Sequence, residues 1–254
     1  MKSIQTKWKK AAYAVFAAVF WIGVWQIVHL VYDMDFVLPG PAKTLSVLVE
    51  KITTASFWSA IAFSVLRILL GFSLACLLAV VLSVLSIKIK VIKILFDPFC
   101  AVVRAVPVAS FIILVLVMFS SSNVSVVIAF LMGFPVVYSN LRKATDTTPA
   151  ELLEVADVFS ISFFGRLKYI YLPHALPFAA SGFSVACGLC FKSGIAAEVI
   201  GYPKGSVGEA MYLSKIGFDM PGLLSYTAVI VVISVICEKL ILFLCKRKTK
   251  GARG

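Results

Sequence analysis

The side chains of this 254-residue sequence that could do chemistry are few, and they sit in apolar company. Arg67, Arg104 and Lys192 interrupt long hydrophobic runs, and Glu198 closes one. An ionisable group inside hydrocarbon costs about 2.5–3.5 kcal/mol on insertion scales, so such a residue defaults to a partner or a function. Arg67 falls about ten residues into its run, ~15 Å deep at 1.5 Å per residue. Its expected role is a structural ion pair or a helix-carbonyl contact, the alternative being a gating charge. Arg104, three residues before Pro107, reads as structural beside a proline kink. Lys192 either snorkels to the interface or faces a pathway and attracts an anion. Glu198 is expected at the outer rim, touching a partner protein or a partner lysine.

Other chemistries fail on spacing. Cys187 and Cys190 have metal or redox spacing, but two ligands close no zinc site and neither His29 nor His174 is placed to help. These thiols read as small apolar residues on a membrane helix. No G-x-x-x-x-G-K-[ST] occurs, since Lys192-Ser193 follows Phe191 rather than glycine, and H-E-x-x-H and G-x-S-x-G are absent too. The chain is therefore expected to be no enzyme, with no catalytic residue, no metal and no cofactor of its own.

The elements that hold these residues are membrane helices. Hydrophobic residues make up 61% of the chain and charged ones 14%, against about a quarter charged in soluble domains. Six runs, near 11–31, 58–84, 98–119, 124–140, 175–197 and 222–245, approach the ~20 apolar residues that cross a bilayer. The first follows Lys2, Lys7, Lys9 and Lys10 but exceeds the ~7–15 apolar residues of a signal peptide, so it reads as a retained span. Small residues of the fifth run, from Ala179 to Gly188, suit close helix packing.

The net charge of +12 is not spread evenly. Lysine and arginine gather in the N-terminal tail, at 88–93, at 142–168 and in the tail 246–254. The alternate segments hold only Lys43, Lys51, Lys204 and Lys215. That bias predicts both termini in the cytoplasm and argues for topology rather than nucleic-acid binding. The outer segments are short. Residues 32–57 hold Leu38-Pro39-Gly40-Pro41 and a short helix near 43–54, and 198–221 reads as a Gly/Pro-punctuated loop. Neither is large enough to be a receptor domain.

The long inner segment 141–174 is the informative one. Thr148-Pro149-Ala150-Glu151 has the form of a helix start, with Thr148 as the cap, Pro149 at the first position and Glu151 in the first turn. The helix should run to Phe159 and break at Ser160-Ile161-Ser162. A second amphipathic stretch, 163–171, should end at Leu172-Pro173.

Within it, Glu154-Val155-Ala156, Ser160 and Ile170-Tyr171-Leu172-Pro173 resemble the EAA loop of ABC importer permeases. Three residues separate Ala156 from Ser160 and nine separate Ser160 from Ile170, as in that motif. Val155 replaces an alanine and Ser160 replaces the usual glycine. Leu38-Pro39 with Pro41, Ser64 to Arg67 with Gly71-Phe72, Asp97-Pro98, Arg104 to Pro107 and Ala197-Glu198 resemble the nitrate/sulfonate/taurine branch, so the likeness spans about 36–245. Branch members usually carry an aromatic near Lys192.

The resemblance implies an all-α membrane protein of six transmembrane helices, with the type I importer (MetI-like) fold, multi-pass in the cell's inner membrane. Residues 1–35 would be a tail and first helix, 36–245 the permease core, and 246–254 a basic tail. It implies ATPase coupling through Glu151, Glu154, Val155, Ala156, Ser160, Ile170, Leu172 and Pro173, and a solute path near Arg67, Arg104, Lys192 and Glu198. The implied partners are a cytoplasmic ABC ATPase that binds the ATP, a second permease copy (a homodimer most simply), an external solute-binding protein and the bilayer. The implied solute is a small anion such as a sulfonate, taurine or nitrate. The alternatives are a vitamin or its precursor as solute, or an ion-coupled secondary transporter. The last predicts inverted repeats with broken helices, of which the sequence offers no convincing sign.

Overall fold

The computed structural model describes the backbone of residues 2–32, 34–35 and 37–251, and the side chains of 12–13, 15–32, 34–35 and 37–245. The side chains of the terminal basic clusters, Lys2 to Lys10 and 246–254, lie outside the described set. Every regular element among the described residues is helical. They are α1 (Lys2–Tyr32), α2 (Pro41–Lys51), α3 (Ala55–Lys88), α4 (Lys90–Ala105), α5 (Val108–Met118), α6 (Val124–Asp146), α7 (Ala150–Val158), α8 (Phe163–Arg166), α9 (Leu172–Gly201), α10 (Val207–Ile216) and α11 (Met220–Gly251). Five described helices are long and apolar enough to cross a membrane, and α4 with α5 make a sixth if the bent pair is one span.

That bent pair takes the place of the span expected at 98–119, and the kink expected at Pro107 is a sharp break. The axes of α4 and α5 meet at 105°. Pro107 has no N–H to continue the helix, and its ring forces Val106 out of the helical region, to ψ 134.

The chain divides into two compact units. In the first, residues 1–58 and 210–228, α2 begins at Pro41, whose fixed φ suits the first helical position, two residues before the expected start. Its approach is pinned from α1: Trp25 Nε1 donates to Pro39 O (3.1 Å) and His29 Nδ1 lies 2.8 Å from Leu38 O. A hydrogen bond from the Lys43 ammonium, at 2.6 Å, holds the Asp35 carboxyl below its ordinary value. Lys51 pairs with Asp219 at 3.4 Å and covers the Tyr226 ring. Phe16, Trp21, Leu30 and Val31 on α1 are all exposed, as on a helix solvated by lipid rather than water.

In the second unit, residues 59–209 and 229–254, α6 and α9 form the central pair. Their packing uses small residues. A side chain at Gly133 would come within 2.7 Å of Cys190 Sγ, and one at Gly182 within 2.8 Å of Asn140 Cβ. Helices in lipid gain association mainly from such close approach. Around the pair lie Ala75, Ala79, Phe134, Tyr138 and Ala186 in one cluster, and Val103, Ile112, Val124, Ile128 and Ala197 in another. Cys187 and Cys190 are buried here, and Cys190 Sγ donates to Ala129 O.

Two further expectations are corrected. The segment 198–221 is no plain loop, because α9 runs to Gly201 and α10 fills the middle. The helix of 163–171 does not end at Leu172-Pro173. It passes through a π turn, Leu167–Tyr171, straight into α9. Pro173 lacks a donor, and the wider hydrogen-bond step of a π turn accommodates that without a break.

Candidate functional site

The segment between α6 and α9 is built from local signals. Thr148 does not cap α7 as expected. Its Oγ1 donates back to Ala144 O at 3.0 Å, so it belongs to the end of α6, and Pro149 occupies the N-cap position with no side-chain bond. Such back-bonding to the preceding turn competes with capping for threonine. Glu151 in the first turn still complements the helix dipole.

The other end of α7 is closed by a Schellman motif. Ile161 N donates to Ala156 O (2.8 Å) and Ser160 N to Asp157 O (2.9 Å). Ser160 sits between them at φ 50, the left-handed conformation that favours glycine. Arg166 reinforces the closure. Its Nη1 pairs with Asp157 Oδ1 at 2.6 Å and its Nε donates to Ile161 O at 2.9 Å. Its Nη2 also donates to Ala156 O at 3.4 Å, and a guanidinium on the last carbonyls of a helix satisfies groups that have no intrahelical partner. Ser162 then starts α8, its Oγ accepting from Gly165 N.

This frame presents one face of α7. Glu151, Glu154, Val155 and Val158 follow at i, i+3, i+4 and i+7, which places them together, and all four are exposed. Leu152 and Phe159 flank them, with Val158 at 81% and Phe159 at 74% exposure. Neither glutamate forms an ion pair among the described residues. Ala156 faces the other way and is fully buried. Ile170 is half-buried, and Leu172 and Pro173 are exposed where the π turn meets α9.

The second group of residues is dispersed and mostly partnered. Glu198 is not at a rim. It is fully buried, which overturns its expected contact with an outside partner. Ser64 Oγ donates to Glu198 Oε2 at 2.5 Å, Val207 N donates to Ser64 Oγ at 2.9 Å, and Gly208 N lies 3.4 Å from the same carboxylate oxygen. A side chain at Gly208 would collide with the backbone and Cβ of Glu198. This knot ties α3, α9 and the start of α10 together.

Arg67, one turn from Ser64, forms no salt bridge and no helix-carbonyl hydrogen bond among the described residues. Its guanidinium stacks 4.2 Å over the Phe63 ring and Nη1 donates to Asn123 Oδ1 at 3.2 Å. Arg104 Nε donates to Cys100 O at 3.2 Å, one residue before the end of α4. Lys192 is exposed on α9. Arg67 and Glu198 are neighbours through Ser64, whereas neither Arg104 nor Lys192 forms a hydrogen bond or ion pair with them among the described residues.

The family described as the inner membrane component of binding-protein-dependent transport systems matches residues 71–249. The chain belongs to that family. It is therefore a multi-pass inner-membrane transport component, and its relatives are permeases rather than enzymes. An aliphatic sulfonates transport permease of Bacillus subtilis, SsuC, is 27% identical over 72% of this chain and 67% of its own. The bicarbonate transport system permease CmpB of Synechococcus elongatus is 26% identical over 57% of this chain and about half of its own length, at 52%. The nitrate import permease NrtB of the same species is 24% identical over 70% and 68%. Among solved structures, a chain of the inward-facing MetNI methionine ABC transporter aligns with a TM-score of 0.51 at 16% identity, covering 77% of this chain and 93% of that one. The permease thus has the expected MetI-like fold.

Two polar features of the permease escaped the sequence reading. Arg142, counted there only as a topology charge, is buried; it bonds Asp146 (2.7 Å), Thr145 (2.7 Å) and Ser86 (3.2 Å), and Lys93 reaches Asp146 at 3.3 Å. The i,i+4 spacing of Arg142 and Asp146 was the available signal. Glu238 accepts from Ser184 Oγ at 2.8 Å. Nothing in local sequence pairs positions so far apart.

Proposed function

We propose that this permease forms the solute pathway of an ATP-driven importer and that residues 147–173 are its coupling loop, facing the cytoplasm. The observation that carries this is the face of α7. A short helix is held rigid at its far end by the Schellman closure and Arg166, yet it leaves Leu152, Val155, Val158 and Phe159 uncovered with two unpaired acids among them. Apolar groups of this kind, rimmed by charge, mark a protein interface when they lie outside the bilayer. The partner is a nucleotide-binding ATPase, which supplies the ATP site this chain lacks. Ala156 lets α7 pack closely on its own support, and Glu151 and Glu154 meet basic groups across the joint.

One coupling loop per chain makes a homodimer the natural assembly, with an external binding protein delivering solute. Residues 36–245 are the permease core. The named relatives handle a sulfonate, a bicarbonate and a nitrate, and a small anion is the solute class we assign. ATP binding closes the ATPase pair, and the loops carry that motion into the helices as a two-state switch.

The test is capture of the co-expressed ATPase and ATP-dependent uptake of alkanesulfonate, nitrate and bicarbonate in proteoliposomes. Glu154→Lys should cut both capture and uptake at least tenfold while the subunit stays monodisperse. Wild-type capture and uptake in that variant would overturn the coupling role. Uptake that persists without ATP under an ion gradient would overturn the importer reading.

A further inference from the structure

Between Ser181 and Val199 the central helix α9 is covered on nearly every side, and its exposed residues are Ser181, Val185 and Lys192. Their helical spacing puts them on one strip, with the half-buried Gly188 between Val185 and Lys192. Neighbouring helices bound that strip. On one edge Leu189 and Ala196 pack against the cluster that holds Val103 of α4 and Ile112 of α5. On the other, Ser184 Oγ donates to Glu238 Oε1 of α11 at 2.8 Å.

Glu238 also faces the strip itself. Its Oε2 lies 3.8 Å from the place a side chain at Gly188 would occupy, and that oxygen accepts no hydrogen bond among the described residues. Gly188 and Lys192 are one turn apart on the same face, with about 6 Å between their Cβ positions. A cation and a carboxylate therefore stand within about a turn of each other. They are not closed into a pair, and Lys192 has no ion pair among the described residues.

Both residues belong to helices long and apolar enough to cross the membrane. Charges in such helices face a bundle interior or a water-filled path, and they take partners there. Two opposite charges left a turn apart leave room for a ligand that bridges them. The ligand's chemistry follows from theirs. It needs an acidic group for the Lys192 ammonium, an ammonium for the Glu238 carboxylate, and a short linker between the two. Gly188 carries no side chain to fill the space. A plain anion would meet Lys192 but also the repulsion of Glu238.

We propose that this strip of α9 is a solute site for a small zwitterion, in which Lys192 holds the acidic group and Glu238, oriented by Ser184, holds the ammonium. Glu238 is then the specificity-determining residue, favouring an amino-substituted acid over the same acid without the amine. The assignment rests on the importer reading for its solute path, and it narrows the anion class to members that also carry an ammonium.

The probes are 2-aminoethanesulfonate and ethanesulfonate, which share the sulfonate and differ by the amine. Their binding to the full-length permease in nanodiscs is measured by saturation-transfer NMR titration. The wild type should bind 2-aminoethanesulfonate about tenfold more tightly. Glu238→Gln should erase that preference without weakening ethanesulfonate. Lys192→Gln should weaken both ligands about tenfold, and Lys192→Arg should keep both. Gly188→Val should block both while gel filtration stays monodisperse. The proposal falls if the wild type binds neither probe or shows no preference for the amine. It falls too if Glu238→Gln keeps the preference, or if the two glutamine variants lower the unfolding midpoint with binding intact, the mark of a structural ion pair. Glu154→Lys, which tests the ATPase joint, should leave this binding unchanged, so the coupling reading and this one fail separately.

Discussion

Glu154 and Glu198 are both acids on helices of the same unit, yet their surroundings are opposite. Glu154 stands on an exposed face of α7, beside Val155 and Val158, with no ion-pair partner among the described residues. Glu198 is wholly buried, and its carboxylate takes hydrogen bonds from a serine and a backbone amide. The first region is a rigid element with an uncovered surface. The second is a buried joint whose contacts on Glu198 Oε2 all come from within the permease itself. An acid that matters to the fold is one whose removal strands other polar groups. An acid that matters to a partner can be replaced with the fold intact.

Four substitutions would break or sharpen this contrast. The largest effect should come at the joint. Gly208→Val drives a branched side chain into the Glu198 backbone, and overpacking of this kind costs about 3 kcal/mol or more. Detergent extraction should then yield aggregated rather than monodisperse protein. Glu198→Ala should follow. It leaves Ser64 Oγ and the Gly208 amide without their buried acceptor, a loss of about 2–3 kcal/mol, read as a lower midpoint of thermal unfolding monitored by tryptophan fluorescence. An unchanged midpoint would mean that the knot is not structural.

Ser160→Gly should act in the other direction. A non-glycine residue in the left-handed region costs roughly 1–2 kcal/mol, and relieving it should raise the midpoint slightly and slow proteolysis between α7 and α8. Faster cleavage there would count against the Schellman closure. The smallest effect on stability belongs to Val158→Glu, within about 0.5 kcal/mol as for most exposed sites. Its consequence is expected elsewhere, in lost capture of the ATPase. A variant that unfolds, or one that still binds, would erase the distinction between the two regions.

Much of this was legible in advance where the signal is local. The end of α7 at Ser160 followed from the order of residue types, and the structure places that residue where glycine's freedom is wanted. Pro107 announced a break, though not one of 105°. Proline dictates that a helix stops; the direction taken afterwards depends on what the next segment packs against. Thr148 was misread because capping and back-bonding draw on the same side chain, and sequence does not say which helix end holds it. Glu198 was placed at a rim by its position at the end of a run, but α10 folds over it through Gly208. Arg67 found Asn123, 56 residues away.

Alone, the sequence determined the helical membrane class, the approximate places of the spans and the spacing of the 151–173 segment. Each depends on residues within a few turns of one another, where hydrophobic runs and glycine, proline or serine positions act directly on the backbone. Only the tertiary structure decided which charges are buried and which serines hold them. Those outcomes require helices distant in sequence to meet, and a side chain has no burial, partner or cavity until its neighbours have arrived.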